Sequence, residues 1–218
     1  MPSLLPRRQP DLPARHWFAS AHGQVVLECE WPLLAASRHA RPGLPWLCIA
    51  PCERPEMLED RHLVWLRMDG EDALGGDVTC EAGCWPLASE SVGTIVLQHA
   101  GDCGLDWDAA LAEAGRVLVP GGRLWLFGLN PLSPYRRYWW RQGLNEAEPF
   151  TWRRRLRRHG FEPDAITDGI GPAWNPGRIA DVQIGAGARA SYRLGAEKRT
   201  IPLTATRVRN PSPALTPA

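Results

Sequence analysis

Histidine 99 stands where a short, β-branched apolar run ends: Thr94-Ile95-Val96-Leu97 is followed by Gln98-His99. An imidazole there can orient or deprotonate a nucleophile near neutral pH, and Asp102, three residues on, can hold the ring or act as the base itself. A histidine at a strand end also serves as an ordinary hydrogen-bonding residue, and the spacing fits both readings. Cys48, Cys52, Cys80 and Cys84 form two C-x3-C pairs that flank apolar runs. Structural zinc turns use a tighter C-x2-C, and small thiols within strands are commonly buried, so no metal is expected. Glu113 and Arg116, three apart on a helical stretch, suit a surface ion pair.

The elements that must position these groups follow from hydrophobic spacing. Thr94–Leu97 reads as a strand buried on both faces. Asp106 or Asp108 caps a helix that carries Leu111, Ala114, Val117 and Leu118 on one side. Pro120-Gly121-Gly122 then stops the helix and turns the chain into Leu124-Trp125-Leu126-Phe127. The economical reading is a parallel β-α-β crossover. Earlier runs at 45–50, 62–68 and 77–80 give three more strands, and 45–50 should lie beside 94–98 in one sheet with 62–68 and 123–128. A helical segment from Trp17 to Leu34 precedes them, a two-turn helix fits between Glu53 and Asp60, and 69–76 has room for little more than a turn. Final strands are expected at 161–166 and 188–196.

Trp85-Pro86-Leu87-Ala88-Ser89-Glu90-Ser91, the Gln98-His99 strand end, Arg116-Val117-Leu118-Val119-Pro120-Gly121-Gly122-Arg123-Leu124 and Phe127-Gly128-Leu129-Asn130-Pro131 resemble the second half of a class I S-adenosylmethionine-dependent methyltransferase, more narrowly the methyltransferase type 11 group. The resemblance implies an α/β, Rossmann-like fold: a mostly parallel central sheet with an antiparallel last strand and helices on both faces. It implies S-adenosylmethionine as cofactor and methyl transfer as activity. Ligands in such sheets sit beyond the carboxyl ends of the strands, which selects Ala50, Pro51, Asp69, Glu81 and Gln98 for cofactor binding and His99 for catalysis. By the same resemblance Asp69 holds the ribose hydroxyls and Glu81 lies near the adenine amine. The first-strand loop, Cys48-Ile49-Ala50-Pro51-Cys52-Glu53, departs from the family: it lacks the glycine-rich turn, and Pro51 has no N–H to donate. That departure keeps a second function open, a catalytically inactive methyltransferase-like binding or scaffold protein that has lost the cofactor site.

The 218 residues are 44% hydrophobic and 22% charged with a formal charge of +1, enough for one α/β core and without a global pull toward nucleic acid or membrane. Residues 1–15 read as a mobile arm, 16–200 as the methyltransferase-like domain and 201–218 as a disordered tail. Neither a long apolar run nor a signal-peptide pattern is evident, so a cytoplasmic protein with free thiols is expected. A helix from Phe150 to His159 should bury Trp152, Leu156 and His159 and turn most of its arginines to water, within reach of Glu146, Glu148 or Glu162. Arg153, Arg154 and Arg157, with the nearby Trp139 and Trp140, offer a less favoured route to nucleic acid or an anionic membrane.

Overall fold

The computed structural model describes residues 13–70 and 72–199. The first twelve residues of the expected arm and the whole of the expected tail lie outside them; the arm's last three residues open a helix. Two helices lead, α1 (Pro13–Ala19) and α2 (Ala21–Ser37). Ser20 caps the second, its hydroxyl accepting from Gly23 N–H at 3.3 Å. Gly23 is where the two helices cross: a Cβ there would run into the Trp17 carbonyl and Phe18 Cα, so only glycine allows the approach.

Strands β1 (Trp46–Ala50), β2 (Leu63–Met68), β3 (Ala73–Gly76), β4 (Cys80–Glu81), β5 (Val92–Gln98), β6 (Leu118–Leu129), β7 (Phe161–Pro163), β8 (Asp168–Ile170), β9 (Gln183–Ile184) and β10 (Ser191–Lys198) form one sheet in the order β4-β3-β2-β1-β5-β6-β10-β8-β9, with β7 also paired to β10. Strands β2, β1, β5 and β6 are parallel and β10 runs antiparallel to β6, as expected. All residues of β1 and β5 are buried, the signature of strands covered on both faces. Alternate side chains feed two cores. Leu47, Ile49, Ile95, Leu97, Leu124 and Leu126 share one with Leu111 of α3 (Trp107–Val117) and Trp152 of α4 (Pro149–Arg158). Trp46, Cys48, Val96 and Phe127 share the other with Cys29 and Leu34 of α2.

Three local expectations change. The helix foreseen between Glu53 and Asp60 is a single 3-10 turn, Glu56–Leu58. Prolines at 51 and 55 bracket that stretch, and the Trp65 indole pins it by donating to the Cys52 carbonyl at 3.1 Å. The strand foreseen at 77–80 is replaced by an antiparallel hairpin of β3 onto β2 and a two-residue β4. Gly76, at φ +133, lets the chain return, and the Asp77 carboxylate takes the next ladder donor, Trp65 N–H, at 2.8 Å. Pro120-Gly121-Gly122 does not end the helix: α3 stops at Val117, Leu118 already pairs with Val92, and the Pro-Gly-Gly run is the bulge that shifts register before Arg123 meets Thr94.

Asp106 caps α3, accepting from the N–H groups of Asp108 and Ala109 at 3.0 and 3.2 Å. Glu113 and Arg116 do pair, but they do more than decorate a surface. Glu113 accepts from Trp85 N–H at 2.8 Å, and Arg116 donates to the carbonyls of Leu87 and Trp85 at 2.8 and 2.9 Å, so the pair holds the strap that leads into β5. Replacing Glu113 by Ala leaves the Trp85 N–H without its acceptor and the guanidinium without its carboxylate. The expected loss is about 1.5–3 kcal/mol in urea unfolding, while Glu90→Ala, at an exposed pair, should change stability by no more than about 0.5 kcal/mol.

Candidate functional site

Strand β5 delivers Gln98 and His99 to the carboxyl edge of the sheet. There the chain leaves the plane: His99 has φ +50, a left-handed conformation that a non-glycine residue adopts only when its surroundings compel it. The turn sends the imidazole inward, where His99 Nδ1 lies 2.7 Å from Asp102 Oδ2 and Nε2 lies 3.0 Å from each carboxylate oxygen of Glu30. Gln98 Nε2 donates to Glu30 Oε2 at 2.8 Å, and Leu129 N–H donates to Asp102 Oδ2 at 2.8 Å. Phe18 of α1 covers the imidazole, ring centroids 4.5 Å apart. Glu30, Gln98 and His99 are 0% exposed and Asp102 is 2% exposed, so the cluster is sealed from water.

Both imidazole nitrogens face carboxylate oxygens, which only the doubly protonated ring can satisfy as a donor on each side. Burial by itself would push the His99 pKa down; the Glu30 carboxylate, with the bond to Asp102, outweighs it and holds the ring up to about 9. Burial raises the Asp102 carboxyl, against the pull of His99 and the Leu129 N–H. As the chain stands, His99 is a buried imidazolium that clamps α2 to the sheet. A general base must be unprotonated and within reach of its proton, and this ring is neither.

The remaining expected site residues divide between floor and rim. Ala50 is 0% exposed and Pro51 is buried. Gln98 turns its amide to Glu30 rather than outward. Asp69, at the end of β2, is partly open, with a side chain 15% exposed. Its Oδ1 accepts from Arg67 Nε at 2.7 Å, and the same guanidinium pairs with Glu53 across the end of β1. Glu81 is exposed on β4 opposite Ala73, whose carbonyl accepts from Asp69 N–H at 2.8 Å, so the two acids flank one residue of the rim. Asn130 is structural: its amide donates to the carbonyls of Gly187 and Arg189, both at 2.9 Å.

Among the described residues, no three His, Cys, Asp or Glu side chains come together as a metal site, and none of the six cysteines is in a disulfide. On α4, Arg153 is not a solvent-facing cation: it donates to the carbonyls of Asp164 and Ala165, both at 3.0 Å. Arg154 and Arg157 are exposed. The acids expected to meet these arginines have other partners, Glu146 pairing with Arg136 and Glu162 with Arg199. His159, expected to be buried, pairs with Asp108 at 2.8 Å, and Trp139 is buried where Trp140 is 57% exposed.

Solved structures share this arrangement. A S-adenosylmethionine-dependent methyltransferase of Thermotoga maritima, described as a possible histamine N-methyltransferase, superposes with TM-score 0.58 at 17% identity, over 84% of this chain and 93% of that one. The fold is that of the class I methyltransferases. A Haloferax volcanii structure, a complex of the Trm112 methyltransferase activator with a methyltransferase, gives TM-score 0.52 at 13% identity over 86% and 98% of the two chains. An Archaeoglobus fulgidus S-adenosylmethionine-dependent methyltransferase gives 0.51 at 13% identity over 77% and 94%. No family model and no curated protein sequence matches the chain. The donor that a class I methyltransferase fold implies meets two kinds of surface here. The half-open Asp69 fits a ribose at the rim, whereas Ala50, Gln98 and His99 offer the inner end no exposed atom.

Glu30, Phe18 and Arg67 did not figure among the expected site residues. Glu30 carried a signal: it is an acid four residues after Val26, three after Leu27 and four before Leu34, on the buried stripe of an apolar helix. The raised His99 pKa fixes the sign of a pH dependence. The folded value of about 9 exceeds the ordinary 6.5, so the ring's contribution to stability is complete below pH 6.5 and is lost as pH rises through 9. Thermal and urea unfolding should show the native state weakening by on the order of 3 kcal/mol across that window. Glu30→Gln, which removes the anion and keeps the shape, should flatten the decline; an unchanged slope would show that His99 is not the titrating group.

Proposed function

We propose that this chain is a methyltransferase that draws on S-adenosylmethionine at the carboxyl ends of β1, β2 and β5. The observation that carries the reading is the half-open Asp69 at the end of β2 beside the switch point of a class I sheet, where strand order reverses between β1 and β5. Two carboxylate oxygens suit a pair of ribose hydroxyls once Asp69 exchanges its present contacts, that with Arg67 among them, and Glu81 on the same rim suits the adenine amine. Bound there, the donor supplies an already activated methyl group, so the protein's part is alignment and exclusion of water. Access to Gln98 and His99 requires α1 and α2 to move, taking Phe18 and Glu30 off the strand ends. Freed from Glu30, the His99 ring loses the anion that keeps it protonated and becomes able to act as a base. No described helix is long and apolar enough to cross a membrane, and the free thiols support a cytoplasmic setting.

A second reading, the same fold kept as a binding or scaffold protein without the donor, is favoured by the full burial of Ala50, Gln98 and His99 under a glycine-free first loop. Contacts to nucleic acid or anionic lipid through α4 rest on Arg154 and Arg157, since Arg153 is committed to Asp164 and Ala165.

Calorimetric titration with S-adenosylmethionine and its demethylated product separates the two main readings. The methyltransferase reading expects a dissociation constant in the upper micromolar range, because the first loop lacks backbone donors worth about 0.5–1.5 kcal/mol each. Ligand at a hundred times that constant should stabilise the fold by about 2.7 kcal/mol, and Asp69→Ala should weaken binding several-fold. Absence of heat and of any melting shift would sink it in favour of the scaffold.

A further inference from the structure

A cavity of about 420 Å³ opens beside the loop that follows β5, between that loop, residues 145–147 and the flank of α4. Its volume lies in the range of small-molecule sites. The half-buried indole of Trp107, at the start of α3, walls it, backed by the buried Trp152 of α4, with ring centroids 4.0 Å apart and planes at 59°. Gly101 runs directly beneath Trp107, and a Cβ at that position would collide with the indole ring, so the close approach that shapes this wall needs glycine.

The polar lining is one-sided. The Arg155 guanidinium lies 4.9 Å over the Trp152 ring and has no carboxylate or carbonyl partner among the described residues. The Asn145 side-chain amide likewise bonds nothing there, although its backbone N–H is fixed to the Asp102 carbonyl at 2.9 Å. The Trp107 indole N–H is in the same position. Glu146, the carboxylate of the lining, is taken by Arg136 and is 10% exposed. Donors are therefore gathered around a hollow walled by one indole, and the acid that would balance the guanidinium is already engaged. Other half-buried arginines of this protein find acceptors: Arg116, Arg123, Arg153 and Arg193 all do.

We propose that this cavity binds a small aromatic carboxylate, whose ring packs against Trp107 and whose anionic group takes the Arg155 guanidinium and the Asn145 amide. A guanidinium fork matches a carboxylate in plane, and its place over the Trp152 ring holds it near the cavity before any ligand arrives. The ring adds apolar contact that a bare oxyanion cannot make. None of these residues belongs to the strand-end rim or to the buried cluster, so the site stands whether or not a methyl donor binds.

Titration of the full chain with 1-naphthoate tests the assignment, with neutral 1-naphthamide and inorganic phosphate as controls. Naphthoate is expected to bind with a sub-millimolar constant and each control about tenfold more weakly or worse. Arg155→Gln should cost naphthoate about tenfold and leave naphthamide unchanged, since a bond to a charged group is lost. Arg155→Lys, which keeps the charge and loses the fork, should fall between. Arg155 is partly exposed, so the variants are expected to melt as the parent does, and a difference Fourier map or amide-shift map of the parent locates the ligand independently of any variant. Failure of millimolar naphthoate to bind, equal binding by Arg155→Gln, phosphate binding as tightly as naphthoate, or a ligand found away from Trp107 and Trp152 would each overturn the proposal.

Discussion

An imidazolium held between two carboxylates, with no water in reach, is the constraint around which the carboxyl edge of this sheet is arranged. His99 joins three separate pieces of chain: its own strand, the loop carrying Asp102, and Glu30 from a helix 69 residues earlier. Removing one partner of such a buried set is far more damaging than its net contribution suggests, on the order of 3–5 kcal/mol, because the others are left charged and dry. The neighbouring groups fit that demand. Gln98 and the Leu129 N–H supply further donors to the two acids, Phe18 closes the last side, and the left-handed turn at His99 is tolerated because the bonds on both ring nitrogens fix the ring.

The cluster depends in turn on how the leading helices are set. Gly23 lets α2 cross against α1 closely enough that Phe18 and Glu30 reach the same ring, one from each helix. Trp17 extends the contact, its indole donating to the Tyr138 carbonyl at 2.8 Å and packing edge-on against Trp139 at 5.4 Å. The aromatic segment after β6 is therefore mostly inward-facing support for the helical pair. Trp140 alone of its two tryptophans is left outside, under Arg141 at 4.6 Å.

Much of the sheet was legible because its signals are local. Five consecutive apolar residues in β1, the Asp106 cap and the 3.6-residue stripe of α3 each declare an element without outside help. The first half was harder. Pro51 and Pro55 are what reduce the expected helix to one turn, and Gly75-Gly76 is what lets the next strand lie close against β2, but the spacing of a full β-α-β unit masks such punctuation. The site was legible only by position. Sheet geometry selects Asp69, Gln98 and His99, yet whether they face a ligand or the interior depends on α2, whose Glu30 is a non-local partner. An acid on an apolar stripe is the one sequence mark it leaves, and nothing in the sequence says which strand end it meets.

The same edge then explains why fold and chemistry need separate arguments in this protein. A class I sheet places its ligand by two devices: a glycine turn with the helix that follows β1, and an acid at the end of β2. Here the first device is gone, since a 3-10 turn has too few aligned peptide groups to present a dipole, and Pro51 removes one N–H outright. An acid, Asp69, still stands at the end of β2, paired with an Arg67 that it shares with Glu53. Losing the positive end of a helix leaves an electrostatic gap at the crevice. The buried imidazole does not fill it, because both its nitrogens are turned to Glu30 and Asp102. An anionic ligand group therefore finds neither a helix N-terminus nor an available imidazole at the strand ends.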